Sequence, residues 1–114
     1  MKRIFIETKG FTSAVYDFMS ELDLVRFQQA LMINPQSGTV IPGCGGLRKI
    51  RIPDPRRHKG KRGGARIIYL DIPEANWIVL LDIYGKDEKE SLDSKTRQRL
   101  YQIAQEIKRA CKRH

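Results

Sequence analysis

Lys49, Arg51 and Arg66 are the residues of this 114-residue chain whose type and spacing best suit chemistry. A guanidinium presents a rigid fork of donors that matches two oxygens of a phosphate, and it stays protonated at physiological pH. An ammonium adds a compact point charge. Lys49 and Arg51 stand two residues apart in 47–52, which reads as a strand, so they share one face. Arg66 opens a second apolar strand, residues 65–72, beside Gly63 and Gly64. In a third, residues 77–84, Asp82 and Tyr84 point the same way, joined by Lys86 if the strand extends. One open sheet face thus collects Lys49, Arg51, Arg66, Tyr84 and Lys86. Forked donors, point charges and an aromatic for stacking on a base suit phosphate and nucleic acid.

The distribution of charge supports that reading. The whole chain carries 22 Lys+Arg against 13 Asp+Glu, a formal net charge of +9. Residues 43–69 hold nine of the bases (Arg48, Lys49, Arg51, Arg56, Arg57, Lys59, Lys61, Arg62 and Arg66) against Asp54 alone, a local +8. The remaining residues are close to neutral. A basic block on a near-neutral body is the footprint of a polyanion, most often nucleic acid. The bland alternative is a solvated loop that aids solubility, which rarely requires such concentration. For the strand residues it is a set of edge charges that guard against aggregation.

Other chemistries fit less well. Gly43-Cys44-Gly45-Gly46 is half of a dinucleotide fingerprint, but Arg48 stands at the third glycine position and a strand follows. Lys59-Gly60-Lys61-Arg62-Gly63-Gly64 lacks the glycine spacing and the Ser/Thr of a Walker A loop. Cys44, Cys111, His58 and His114 do not have zinc-ligand spacing. Asp82, Asp87, Glu88 and Glu90 read as solvated charge in a Lys-containing turn, so neither a metal nor another cofactor is expected. Cys44 has no ordered histidine partner and reads as a small packing residue. Two cysteines fit a reducing cytoplasm. No stretch approaches the ~20 apolar residues of a membrane helix, so no membrane partner is expected.

The elements that must position the basic set follow from periodicity. Residues 2–7 alternate as a strand. Phe11, Ala14, Val15 and Phe18 recur at helical spacing. Ser20 caps a second helix, whose buried stripe is read as Leu22, Leu24, Phe27, Leu31 and Met32, ended by Asn34-Pro35-Gln36-Ser37-Gly38. Residues 39–46 form a glycine-rich loop. Three strands follow at 47–52, 65–72 and 77–84, linked closely enough for an antiparallel meander. Ser94 caps a final helix running to about Cys111. The order β-α-α-β-β-β-α over a single domain, residues 1–114, predicts an α+β fold. Its mainly antiparallel twisted sheet carries helices on one face and leaves the other partly open.

Three stretches in order carry a family resemblance. Gly45-Gly46-Leu47-Arg48-Lys49-Ile50-Arg51, Gly60-Lys61-Arg62-Gly63-Gly64-Ala65-Arg66-Ile67-Ile68-Tyr69 and Leu80-Leu81-Asp82-Ile83-Tyr84-Gly85-Lys86-Asp87-Glu88 resemble the RelE/HigB toxin superfamily, its HigB-type branch in particular. The inferred element order matches over nearly the whole chain. The resemblance implies the toxin of a type II toxin–antitoxin pair, a ribosome-dependent mRNA endonuclease that cuts messenger RNA in the A site and stops translation. It also implies a cognate helix-turn-helix antitoxin (HigA-like), the ribosome and mRNA as partners, and a cytoplasmic location. By motif, Lys49 and Arg51 fall on the family's basic strand, Arg66 on the arginine before its Ile/Val-x-Tyr strand, and Lys86 on the lysine of its terminal turn. The chain departs from the pattern after that turn. Where several relatives carry an arginine and later a tyrosine, Asp87 follows Lys86 and Asp93 falls near the tyrosine's place. Tyr69 and Tyr84 are the aromatic alternatives.

Metal-free RNA cleavage needs a base for the 2′-hydroxyl, donors for the phosphorane charge and an acid for the leaving 5′-oxygen. The expected assignment has Arg51 and Arg66 clamping the phosphate, with Lys49 and Lys86 orienting the nucleophile or moving protons. Arg48, Arg56, Arg57, Lys59, Lys61, Arg62 and Tyr84 are the candidates for holding RNA or the ribosome. His58 sits in a loop, a poor place for exact acid–base geometry. The rival reading is a non-catalytic RNA- or ribosome-binding module using the same face. A DNA-binding regulator is disfavoured, because neither early helix presents a basic recognition face.

Overall fold

The computed structural model describes residues 2–52, 64–85 and 93–112. In chain order it contains β1 (Ile4–Glu7), α1 (Lys9–Ala14), a 3₁₀ turn (Val15–Asp17), α2 (Glu21–Ile33), β2 (Thr39–Val40) and β3 (Arg48–Ile52). There follow β4 (Ala65–Ile72), a 3₁₀ turn (Pro73–Ala75), β5 (Trp77–Gly85) and α3 (Ser94–Cys111). Among the described residues the sheet has five strands in the order β1-β5-β4-β3-β2, antiparallel except for β1 beside β5. The α+β class and the order of the main elements are as expected. The addition is β2, two residues of the expected glycine-rich loop that pair with β3.

Alternation along β4 decides the layering. Ala65, Ile67 and Tyr69 face one side and join Phe11, Val15, Phe18, Leu24, Phe27 and Leu31 in a first core beneath α1 and α2. Ile68, Leu70 and Ile72 face the other side and join Cys44, Leu47, Val79, Leu81 and Ala104 in a second core, with Leu100, Ile103 and Ile107 of α3 packed on it. The expectation of helices on one face is therefore corrected: α1 and α2 cover one face, and α3 packs on the other. The apolar stripe of α3 needs a greasy partner, and the even positions of β4 provide it.

Local chemistry fixes the helix ends. Ser20 caps α2 in a reciprocal pair with Asp23: the Ser20 hydroxyl accepts from the Asp23 amide, and the Asp23 carboxylate accepts from the Ser20 amide. The Ser20 amide above all, and then the Ser20 hydroxyl, hold the Asp23 carboxyl below the usual aspartate range. The cap of α3 is Asp93 instead of Ser94; its carboxylate accepts from the Thr96 amide at 2.8 Å and is likewise shifted down. Leu22 is 56% exposed, not part of the buried stripe, and Met32 is half-buried. Leu22 precedes Leu24 by two residues, which places it on roughly the opposite side of the helix. Among the described residues no helix is long and apolar enough to cross a membrane.

A bulge in β5 sets which residues face which core. The β4–β5 register runs from Ile72↔Trp77 to Tyr69↔Leu80, then shifts so that Ile68 pairs with Asp82 and Arg66 with Tyr84. Leu81 is the additional residue. Ile78 and Leu80 point into the first core, so unbroken alternation would send Asp82 and Tyr84 there too. The bulge reverses this, putting Ile83 in the first core and Tyr84 in the second. Thr8 secures it. Its amide donates to Leu80 O at 3.1 Å and its hydroxyl to Leu81 O at 2.7 Å. The same hydroxyl accepts from the Phe11 amide at 3.2 Å, capping α1.

Candidate nucleic-acid interface

The meander brings the predicted strand residues together. Arg51 pairs directly with Arg66, and Arg66 directly with Tyr84, so the three lie in one row across β3, β4 and β5 on one face. Lys49 occupies the neighbouring row with Ile68 and Asp82, and Thr39 of β2 stands opposite Lys49 on its other side. With neighbouring strands about 4.8 Å apart, the Arg51–Tyr84 row spans roughly 10 Å. Like charges directly opposite each other are destabilising in a sheet. An arginine pair in register is therefore a cost that the fold sustains.

Burial sharpens the contrast between the two arginines. Arg51 is exposed and Lys49 half-buried, but Arg66 is only 5% exposed and is the one buried charged residue among those described. Its Nη1 donates to Gly64 O at 3.3 Å, and no carboxylate among the described residues forms an ion pair with it. A guanidinium has five donor hydrogens. Among the described residues, one long bond to a backbone carbonyl uses only a small part of that capacity. Tyr84 is buried beside it at 3% exposure, with its ring in the second core, so the expectation of an exposed aromatic face for stacking on a base is corrected. Asp82, half-buried, brings one carboxylate to the same face.

Other candidates fall elsewhere. Arg48 lies on the opposite face from Lys49 and Arg51. Its Nη1 donates to Gly38 O at 2.7 Å and Gln36 O at 3.2 Å, so the guanidinium braces a turn. Tyr69, the other aromatic alternative, is fully buried on the first-core face. Its hydroxyl donates to Pro35 O and accepts from the Gly38 amide, both at 2.9 Å, and burial pushes its pKa up. Asp93, near the expected place of the family's tyrosine, is a helix cap. Cys44 is buried, with its thiol 3.8 Å from Arg97 O and its pKa raised by desolvation, which disfavours a nucleophilic thiolate. Gly45, at φ +71°, accepts from Lys108 Nζ at 2.6 Å, and a Cβ there would stand 3.2 Å from Ala104 Cβ. Gly45 thus serves close packing under α3, and Gly43 and Gly46, at φ +74° and +99°, serve the turn itself. Lys86, Arg56, Arg57, His58, Lys59, Lys61, Arg62, Asp87, Glu88 and Glu90 lie outside the described residues.

Two features have no signal in the sequence. Ser37, Gly38 and Thr39 join Lys49, Ile50 and Arg51 around a cleft of about 350 Å³. Their contribution depends on β2 folding back on β3, and two residues are too few for a periodic signature. Around α3, Lys95, Arg97 and Arg99 line a larger cleft of about 670 Å³ with Gly43 and Tyr101. Counting charge by sequence window hides these bases, because acids elsewhere in the chain offset them.

No protein-family model matches the sequence. Among solved structures, a variant of E. coli toxin RelE with two arginines replaced by alanine, in the free state, is similar in fold. The TM-score is 0.59 at 14% sequence identity, covering 79% of this chain and 90% of that one. Identity that low speaks to the arrangement of the backbone. With a mostly antiparallel sheet and, among the described residues, three α-helices, the chain has a RelE-like fold.

Proposed function

We propose that this protein is a HigB-type toxin of a type II toxin–antitoxin pair: a metal-independent, ribosome-dependent endoribonuclease that cuts mRNA in the A site. The observation that carries the reading is Arg51 directly opposite the buried Arg66, on one face of a RelE-like sheet. In the proposed reaction, the 2′-hydroxyl loses its proton to a base while its oxygen bonds to phosphorus. The bond from phosphorus to the 5′-oxygen breaks, and an acid protonates that oxygen. Arg51 and Arg66 carry the charge that builds on the non-bridging oxygens; Lys49 and Lys86 orient the nucleophile and shuttle protons. Burial makes Arg66 the stronger electrostatic partner, since a low-dielectric surround strengthens each contact to the developing charge. Arg56, Arg57, Lys59, Lys61 and Arg62 hold ribosomal RNA, and the ribosome orders the substrate. The proposed setting is the cytoplasm, with a helix-turn-helix antitoxin as the cognate partner. Arg48, committed to a turn, supports the site from behind.

Expression of wild type and Arg66→Ala, with mapping of mRNA ends in translating cells, tests the proposal. Wild type arrests growth and yields A-site ends. The folded variant loses about 10²–10³-fold in cleavage rate, the scale of removing one preorganised donor. A folded Arg66→Ala protein that still cuts removes Arg66 from the site. Ribosome binding and growth arrest without new mRNA ends favour the non-catalytic module.

A further inference from the structure

Directly behind Lys49 and Arg51 lies a turn held by two side chains from the opposite face of the sheet. The Tyr69 hydroxyl joins Pro35 O and the Gly38 amide, the two ends of residues 35–38, each at 2.9 Å. Arg48 stands opposite Tyr69 in the β3–β4 register and fixes Gly38 O at 2.7 Å and Gln36 O at 3.2 Å. Both backbone polar groups of Gly38 are thus engaged. The space is filled as well: a Cβ on Gly38 would lie 2.8 Å from Tyr69 Cε1, 2.9 Å from its hydroxyl and 3.1 Å from Lys49 O. Ser37, Gly38 and Thr39 of the same segment, with Lys49, Ile50 and Arg51, line the cleft of about 350 Å³. The residue that anchors the turn and the residues that present cations are therefore adjacent in β3, pointing to opposite faces.

We infer that Tyr69 and Arg48 are positioning residues, which hold residues 37–39 at a fixed distance from Lys49 and Arg51 so that the cleft orients an RNA phosphodiester toward the arginine pair. This rests on the nuclease reading. The brace reaches the substrate only through the turn and the two cations; neither Tyr69 nor Arg48 touches the RNA. Without it the cleft wall loosens, and misplacement on the ångström scale costs rate far more than it costs encounter. Ribosome affinity depends on many spread charges and stays as it is.

The experiment compares wild type, Tyr69→Phe, Gly38→Ala, Arg48→Lys and Arg48→Met. Cleavage of mRNA on programmed ribosomes is measured per folded molecule, and amide hydrogen exchange is followed at Gly38. Tyr69→Phe is expected to deprotect the Gly38 amide and to lower kcat about tenfold, with KM for ribosomes changed less than twofold. Gly38→Ala does the same from the turn's own side, so the inference survives should one variant fail to fold. Arg48→Lys, which keeps a donor for Gly38 O, retains more rate than Arg48→Met. A Tyr69→Phe protein with a deprotected Gly38 amide and wild-type kcat overturns the positioning role while leaving the nuclease reading intact. A wild-type protein that cuts no mRNA overturns both.

Discussion

Arg66 holds a charge at 5% exposure and, among the described residues, makes a single 3.3 Å bond to a carbonyl, opposite another arginine. Burying an under-partnered cation is expensive, and an apolar side chain of similar length removes the cost. Arg66→Met is therefore expected to raise stability by about 1–3 kcal/mol, read as a higher urea midpoint at unchanged m-value, while abolishing cleavage. An unchanged midpoint would mean that the buried guanidinium carries no net cost, and a lower one that it stabilises the fold. Tyr69 gives a pH dependence of known sign. Its folded pKa is raised by burial, so it stays neutral while the unfolded chain ionises from about pH 10. The stabilisation is complete below that pH and is lost as pH rises through the folded value. Tyr69→Phe should remove this part of the alkaline decline in an unfolding titration. The shared face of Lys49, Arg51 and Arg66 was legible in the sequence, because strand alternation and a short meander determine it. The opposite commitments of Arg48 and Tyr69 were not, since their partners are backbone groups of a turn whose path no periodicity encodes.

At the scale of elements, the β5 bulge and its tie to Thr8 determine where Tyr84 points. Thr8→Val removes a donor to Leu81 O and the α1 cap together while keeping the shape of the side chain. The expected loss is about 1–3 kcal/mol by chemical denaturation, combining a cap with a hydrogen bond. A loss no larger than that of an exposed threonine would show that the bulge holds without it. Reading the bulge from sequence fails for a clear reason. Counting in twos from Ile78 and Leu80 puts Tyr84 in the first core, and nothing in Leu80-Leu81-Asp82 announces an additional residue. The α2 cap was legible because Ser20 and Asp23 have the capping spacing. The expected cap of α3 is off by one residue, since Asp93 and Ser94 are both good caps and only the geometry chooses between them.

Over the whole molecule, one sheet separates two apolar cores and presents its arginine pair on the α3 side. The dense +8 of residues 43–69 includes that face, and the folded chain carries further bases outside the segment, Lys95, Arg97 and Arg99 of α3, around a cleft shared with Gly43. Under the proposed function, electrostatic holding and chemistry respond differently to salt. Replacing Lys61 and Arg62 by alanine is expected to weaken ribosome association and to flatten its log–log salt dependence by ~0.7 for each phosphate no longer neutralised. Cleavage at saturating ribosomes should persist. A flat response in both would leave that segment to solubility.

The pairing of β1 with β5 orders events during synthesis. Ile4 leaves the ribosome more than seventy residues ahead of its register partner Trp77, and the carbonyls that Thr8 binds belong to Leu80 and Leu81. A nascent chain that ends within β4 already has its arginine pair but has neither Tyr84 nor a neighbour for β1. Such long-range closure is slow and comes late. β1, made before the other strands described, docks only after β5 is made, and the row from Arg51 to Tyr84 is complete only once β5 has been translated.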